Sequence, residues 1–198
     1  PNYDYIVVGA GSAGAVIASR LTENGRHKVL LLEAGPEDKN PWIHIPLGYG
    51  KLFTNATYNW LYSTEANAEQ VNRRIPQPRG KTLGGSSAIN GMVYIRGHAS
   101  DYDQWRQFGN AGWSYDDVLP YFKKAEDQQR GEDEFHGVGG PLAVSDVYEK
   151  HPLAAAFIES AVDAGFERND DFNGAEQEGF GYVQWTMRNG RRCSTAVG

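Results

Sequence analysis

The sequence is short of cysteine and histidine, the residues that most often bind metals. Cys193 is the one cysteine in 198 residues, so the chain alone can form neither an internal disulfide nor a cysteine-ligated metal centre. The five histidines are scattered, and no His-x-x-x-His or Cys-x-x-Cys pair occurs. A metal site is therefore not predicted. A lone cysteine is typical of a reducing compartment, so we expect a structural Cys193 and a cytoplasmic protein.

Long apolar runs and clusters of basic residues are also scarce. Runs such as Val29–Leu32 are far shorter than the roughly 20 residues that cross a bilayer, and no basic-then-apolar leader opens the chain. The formal charge is −6 and the isoelectric point is about 5.4, whereas proteins that bind nucleic acids concentrate Lys and Arg on one face. We expect no membrane span and no nucleic-acid partner.

A strand, a glycine turn, a helix and a second strand are predicted at the start of the chain. The apolar run 3–8 leads into Gly9-Ala10-Gly11-Ser12-Ala13-Gly14, after which apolar residues recur at helical spacing as far as Gly25. A second buried strand is predicted over 28–32. This pattern indicates a βαβ dinucleotide-binding unit: Gly9 permits the turn, Gly11 lets a pyrophosphate approach the backbone, and Gly14 lets the helix pack on the strand.

Glu33 follows the second strand, 33 − 9 = 24 residues beyond the first glycine. A carboxylate at this position accepts hydrogen bonds from ribose hydroxyls and repels a 2′-phosphate, so NADP is disfavoured. The motif alone leaves FAD and NAD open.

A glycine- and serine-rich stretch from Arg79 to Gly97 fits neither a helix nor a strand. Gly84 and Gly85 permit positive φ, and Ser86, Ser87 and Asn90 place short polar side chains beside backbone N–H groups. The apolar run 92–95 that follows favours burial, so this stretch is predicted to be held within the fold and to contact a large planar cofactor.

This stretch resembles the first signature of the glucose–methanol–choline (GMC) flavin oxidoreductases. The resemblance is carried by Gly80-Lys81-x-Leu83-Gly84-Gly85-Ser86-Ser87-x-Ile89-Asn90, followed by Tyr94, Gly97 and Asp103. Within the family, the flanking residues 90–97, 101–105 and 112–115 are most similar to the choline-dehydrogenase-like branch.

The resemblance implies FAD as the cofactor, a choice that Ala34-Gly35 also favours. The implied binding residues are Gly9, Gly11, Ser12, Ala13, Gly14, Glu33, Ala34, Arg79, Leu83, Gly84, Ser86, Asn90, Gly91, Met92 and Val93. Some family members link a histidine to the flavin covalently, but that position is Ile89 here, so we expect FAD to bind without a covalent bond.

The family's chemistry is the oxidation of an alcohol CH–OH group to the aldehyde by hydride transfer to flavin N5, with oxygen or another compound as electron acceptor. Its catalytic base is a histidine near the C-terminus of a chain more than twice this length, and no residue here matches it, so no catalytic residue is predicted. The chain therefore resembles an N-terminal piece that is inactive alone, with His98 as the one histidine to watch. A non-catalytic flavin- or nucleotide-binding module and an NAD-dependent dehydrogenase are the alternatives.

The predicted fold class is α/β, α+β over the whole chain, with a Rossmann-type FAD-binding domain over 1–140 and the start of an antiparallel substrate-binding domain over 141–198. Residues 36–78 read as an irregular, lid-like excursion. Within it, Tyr58-Asn59-Trp60 resembles a family element near the flavin entrance, although packing of a long loop explains it equally well. Helices are predicted after Ser114 and over 152–164, and strands over 141–144 and 181–187. The inward residues of the second helix are predicted to be Leu153, Phe157, Ile158 and Ala161. The acidic stretch 126–134 is predicted to be a solvated loop.

Overall fold

The computed structural model describes residues 2–198. Their contacts divide the chain into two compact units. The first unit contains the residues up to 92 together with 189–198, and the second contains 93–188.

The first unit begins with the predicted βαβ arrangement. Strand β1 (Tyr5–Val8) leads through the glycine turn into helix α1 (Ser12–Thr22), and strand β2 (Val29–Leu32) follows. The two strands pair in parallel, from Tyr5 opposite Val29 to Val8 opposite Leu32. The parallel register brings the carboxyl ends of both strands to one edge, where the glycine turn begins.

The excursion over 36–78 is more regular than the sequence predicts. It contains helices α2 (Pro41–His44) and α3 (Tyr49–Leu52), strands β3 (Tyr62–Ser63) and β4 (Pro76–Gln77), and 3₁₀ turns at Pro46–Gly48 and Ala68–Gln70. Helix α2 forms because the Asn40 side chain accepts a hydrogen bond from the backbone N–H of Trp42 and Pro41 opens the first turn. The buried cluster of the first unit joins α2 and α3 to a later 3₁₀ turn at Gly85–Ala88 through Ile43, Leu52, Ala88 and Ile89.

The second unit combines short strands with three helices. Strand β5 (Val93–Tyr94) is followed by α4 (Ala99–Gln107), α5 (Tyr115–Ala125), β6 (Glu126–Gln128), β7 (Leu142–Val144), α6 (Pro152–Asp163), β8 (Gln184–Trp185) and β9 (Met187–Arg188). Strand β5 pairs antiparallel with β8, and β6 pairs in parallel with β7. The last strand of the chain, β10 (Arg191–Arg192), belongs to the first unit.

The predicted helix after Ser114 is confirmed: the backbone N–H of Ser114 donates to Asp117 at 3.0 Å and that of Asp117 donates to the Ser114 hydroxyl at 3.4 Å. The helix over 152–164 also forms, with Ile158 and Ala161 buried as expected. Its other two predicted inward residues, Leu153 and Phe157, are 74% and 64% exposed.

Two buried charged groups of the second unit were not predicted. The prediction of a solvated loop over 126–134 is wrong at its start, because Glu126 is fully buried in β6 and pairs with Arg96 at 2.8 Å. Residues 129–134 lie outside any strand and are mostly exposed. His136 is likewise buried, at 3% exposed, and lies between Glu126 and Asp171. In both cases a residue distant in sequence supplies the opposite charge that makes burial possible.

The boundary between the two units also differs from the predicted domain boundary at 140/141. Residues 93–140 group with 141–188 because β5 pairs with β8 and β6 pairs with β7. The assignment of an FAD-binding and a substrate-binding domain stays a prediction. Among residues 2–198, no helix has the length and apolarity needed to cross a bilayer.

Candidate functional site

The first unit contains an open cavity of about 710 Å³ where β1 and β2 end and α1 begins. Nine of the fifteen predicted cofactor residues line it: Gly9, Gly11, Ser12, Ala13, Gly14, Glu33, Ala34, Arg79 and Ser86. Residues from the glycine turn, the end of β2 and the later Gly-Ser loop (residues 79–92) thus meet around one space. The six other predicted residues, Leu83, Gly84 and 90–93, are not among the lining residues.

The glycine turn places the start of α1 at the cavity. A Cβ atom on Gly14 would lie 1.8 Å from the Gly9 carbonyl oxygen and 3.3 Å from a methyl group of Val7, so only glycine permits this packing of helix on strand. Gly11 is the N-cap residue of α1 and has no side chain to bond the first backbone N–H groups of the helix. Those N–H groups and the helix dipole favour an anion in the cavity.

Glu33 is held at the end of β2 by backbone N–H groups. One carboxylate oxygen accepts from Ala10 at 2.8 Å, and the other accepts from Gly35 at 3.0 Å. Each carboxylate oxygen can accept a further hydrogen bond. The side chain is therefore fixed in orientation and still able to accept hydrogen bonds from two adjacent hydroxyls of a ligand.

The Gly-Ser loop packs directly against the glycine turn. The backbone N–H of Gly84 donates to the Ala10 carbonyl at 2.9 Å. Gly85 has φ +54, and a Cβ atom on it would lie 2.7 Å from the Gly11 Cα, so the two loops approach closely because neither residue has a side chain. The Ser86 hydroxyl accepts from the Gly80 N–H at 3.1 Å, which closes the loop beside the cavity.

Asn90, predicted to face the cofactor, uses its side chain within the fold. Its Oδ1 atom accepts from the backbone N–H of Met92 at 3.1 Å and from the Arg192 guanidinium at 2.7 Å. Met92 is buried with φ +65. Direct contact of residues 90–93 with a flavin stays a prediction.

Five cavity residues were missing from the predicted set: Val8, Leu32, Trp60, Gly80 and Gly85. Val8 and Leu32 could have been found, because they end the two strands of the βαβ unit. Trp60 is 41% exposed, stacks on Tyr62 with an interplanar angle of 5°, and has the Lys81 ammonium 4.8 Å from its ring centroid. Its place beside the cavity agrees with the family element that Tyr58-Asn59-Trp60 resembles.

His98, the one histidine singled out from the sequence, is the N-cap residue of α4 in the second unit. Its Nδ1 atom accepts from the backbone N–H of Ser100 at 3.2 Å, and its own backbone N–H donates to Asp101 at 2.9 Å. These contacts give it a local structural role.

Comparison with known proteins decides the family. The family model described as GMC oxidoreductase matches residues 3–198. The chain belongs to the GMC oxidoreductase family. The GMC relatives include the oxygen-dependent choline dehydrogenases of Sinorhizobium fredii, 50% identical over 193 residues, and Vibrio vulnificus, 49% identical over 197 residues. Each comparison covers 98% of this chain and 35% of the relative, so the chain spans about a third of the length of these curated relatives.

Solved GMC structures agree with the fold. Pyridoxine 4-oxidase from Mesorbium loti matches with a TM-score of 0.94 and 40% identity over 99% of this chain and 39% of that one. Formate oxidase of Aspergillus oryzae, studied for its FAD modification, matches with a TM-score of 0.84 and 31% identity over 98% of this chain and 36% of that one. The Rossmann-type fold, the choline-dehydrogenase-like resemblance and FAD as the cofactor are confirmed. The noncovalent mode of FAD binding stays a prediction.

Proposed function

We propose that this chain forms the FAD-binding part of an oxidoreductase that converts an alcohol CH–OH group to the aldehyde. The observation that carries the proposal is the convergence, around one cavity, of an uncapped helix N-terminus, an anchored carboxylate and the Gly-Ser loop. FAD needs these three features in one place, because its diphosphate is anionic, its ribose carries adjacent hydroxyls, and its flavin is a broad planar ring.

The chain's own residues divide the binding between them. The backbone N–H groups at the start of α1 would hold the diphosphate, with the Arg79 cation at the same cavity. Glu33 would accept the ribose hydroxyls. Bound FAD supplies the acceptor for the hydride that leaves the alcohol carbon. The chain orients that cofactor, and the proton of the alcohol hydroxyl requires a base, which we expect in the C-terminal part of a longer protein.

Relatives support the choice of substrate class and acceptor. The curated relatives are choline dehydrogenases described as oxygen-dependent. We therefore propose a small alcohol as substrate and oxygen as the first electron acceptor to test. The alternatives of an NAD-dependent dehydrogenase and a non-catalytic module make different predictions: NAD binding leaves the protein colourless, and a non-catalytic module binds FAD that an alcohol does not reduce under anaerobic conditions.

Replacing Glu33 tests the cofactor site. Glu33→Ala in the full-length protein should weaken FAD binding by about 1–3 kcal/mol, or roughly 5- to 150-fold in Kd, the scale of charge-assisted hydrogen bonds. Fluorescence titration of the apoprotein with FAD measures this change. Glu37→Ala is the matched control, because Glu37 is exposed and pairs only with Lys39 on the surface. Equal FAD affinity in Glu33→Ala and Glu37→Ala would refute the assignment.

A further inference from the structure

Arg192, in β10, is a buried cation without an acidic partner. Arg192 is only 2% exposed, and no carboxylate among residues 2–198 lies within ion-pair distance of its guanidinium. Burial lowers the pKa of this guanidinium to about 10, which leaves it charged at neutral pH. A buried charge is costly unless hydrogen bonds compensate it, so the acceptors around Arg192 must be held firmly in place.

Those acceptors are neutral oxygens from two separate segments. The Nε atom donates to the Ile43 carbonyl of α2 at 2.7 Å, and Nη1 donates to the Ser87 carbonyl at 3.0 Å. Nη1 also donates to Asn90 Oδ1, and Nη2 to the Asn90 carbonyl, each at 2.7 Å. One planar guanidinium thus connects α2 to two points of the Gly-Ser loop, a geometry that suits arginine and that a lysine ammonium cannot reproduce.

The chain after Arg192 supports the same part of the loop. The backbone N–H of Thr195 donates to the Ser87 hydroxyl at 3.0 Å, and that hydroxyl donates to the Gly84 carbonyl at 2.6 Å. Asn90 in turn accepts from the backbone N–H of Met92 at 3.1 Å. Residues 192–195 therefore fix the loop at Ser87 and Asn90, while the adjacent Gly85 and Ser86 line the cavity.

We propose that Arg192 is a positioning residue for FAD: through Ser87 and Asn90 it fixes the Gly-Ser loop so that Gly85 and Ser86 present their backbone and hydroxyl groups to the cofactor. The inference rests on the proposed function, since the cavity must hold FAD for the position of the loop to matter. Arg192 is not among the residues that line the cavity, and it lies 102 positions beyond Asn90 in the sequence.

The hydrogen bonds of Arg192 favour a role in holding the loop over simple filling of the core. An apolar side chain of similar size would fill the space without the desolvation cost of a charge. Arginine donates four hydrogen bonds to the Gly-Ser loop and to α2, and these bonds fix the orientation of the oxygens that accept them. Loss of the guanidinium frees the Ser87 and Asn90 carbonyls to rotate, so the loop samples conformations in which the cavity wall is displaced.

The test measures FAD binding and the state of bound FAD in the full-length protein. Arg192→Met removes all four hydrogen bonds, Arg192→Lys keeps the charge and part of the bonding, and Asn90→Ala removes only the Oδ1 acceptor. Arg191→Met is the matched control, because the neighbouring Arg191 is exposed. Each apoprotein is titrated with FAD at least 10 °C below its own unfolding midpoint, and the visible absorption and flavin fluorescence are recorded at saturating FAD.

We expect the Kd for FAD to rise at least about tenfold in Arg192→Met and less in Arg192→Lys and Asn90→Ala, each of which keeps some of these hydrogen bonds. We also expect the Arg192→Met protein, saturated with FAD, to show stronger flavin fluorescence and a less structured 450 nm band, because a displaced cavity wall admits solvent to the flavin. If Arg192 has a purely structural role, the spectrum of bound FAD stays unchanged. If Arg192→Met does not fold, Arg192→Lys and Asn90→Ala carry the test.

Two results would overturn the inference. FAD affinity within twofold of wild type in folded Arg192→Lys and Asn90→Ala, with unchanged spectra, would show that Arg192 does not position the loop while the proposed function stands. Failure of the wild-type protein itself to bind FAD would overturn both.

Discussion

Replacing Glu126 by glutamine should lower the free energy of opening of the second unit. The Glu126 carboxylate is fully buried and accepts hydrogen bonds from Arg96 at 2.8 Å, Gly137 N–H at 3.1 Å, His136 Nδ1 at 3.1 Å and Gln128 at 3.2 Å. Every one of these neighbours donates a proton. A glutamine amide group, which is itself a donor, therefore has no orientation that satisfies all of them.

The structure also sets the size of the effect. After Glu126→Gln, Arg96 keeps the Phe135 carbonyl at 2.8 Å and the Tyr94 hydroxyl at 3.3 Å, but its buried charge has lost its partner. Breaking a buried pair by removing one member costs about 3–5 kcal/mol. Asp127→Asn is the control, because the next carboxylate along β6 pairs with Arg188 at the surface, where such a pair contributes about 0–1 kcal/mol.

Native-state hydrogen exchange of peptides from 93–188 measures this difference, because it reports the opening free energy of the second unit without assuming that the whole protein unfolds in one step. We expect Glu126→Gln to lower that opening free energy by about 3–5 kcal/mol and Asp127→Asn by less than about 1 kcal/mol. Losses within about 1 kcal/mol of each other would show that the buried carboxylate contributes no more than a surface one.

Three further predictions concern the turn, the buried histidine and the cofactor. Gly14→Ala should raise the Kd for FAD at least about tenfold, because the new Cβ overlaps the Gly9 carbonyl, whereas Gly50→Ala, where a Cβ meets no atom within 4 Å, should leave it unchanged. Hydrogen bonds to Asp171, and then to Glu126, raise the pKa of His136 to about 9. The stability that His136 contributes is therefore fully present below about pH 6.5 and is lost as pH rises through 9. In a series of denaturation curves against pH, His136→Gln should reduce the loss of stability at alkaline pH, and an unchanged loss would assign it to other groups. Acid precipitation of the FAD-loaded protein should leave yellow colour in the supernatant, since Ile89 cannot form a covalent link, and a yellow pellet would contradict this.

The βαβ unit could be predicted from the sequence because the residues that determine it are close together in the chain. The apolar strands, the glycines of the turn and Glu33 lie within 31 consecutive positions, 3–33, and the packing reason for Gly14 depends on Gly9, five residues earlier. The same holds for the capped helix after Ser114, whose two reciprocal hydrogen bonds join residues three apart.

The parts that sequence reasoning missed depend on distant partners. Glu126 looked like the start of a solvated acidic loop because Arg96, 30 residues earlier, gives no sign in the local pattern that it is the counter-charge. The guanidinium that binds Asn90 comes 102 positions later, so the glycine-rich pattern around Asn90 gives no sign of it. A polar residue in a loop shows that a hydrogen bond is needed and leaves the partner unspecified.

The separation between Asn90 and Arg192 has a consequence during synthesis. The Gly-Ser loop leaves the ribosome as part of the first 92 residues, but the strand that fixes it follows only after the whole second unit, 93–188, has been made. At about 5–20 residues per second, those intervening 100 or so positions take roughly 5–20 s. For that interval the nascent chain carries the glycine turn and Glu33 with an unfixed Gly-Ser loop, so the cavity wall is fixed only when β10 emerges.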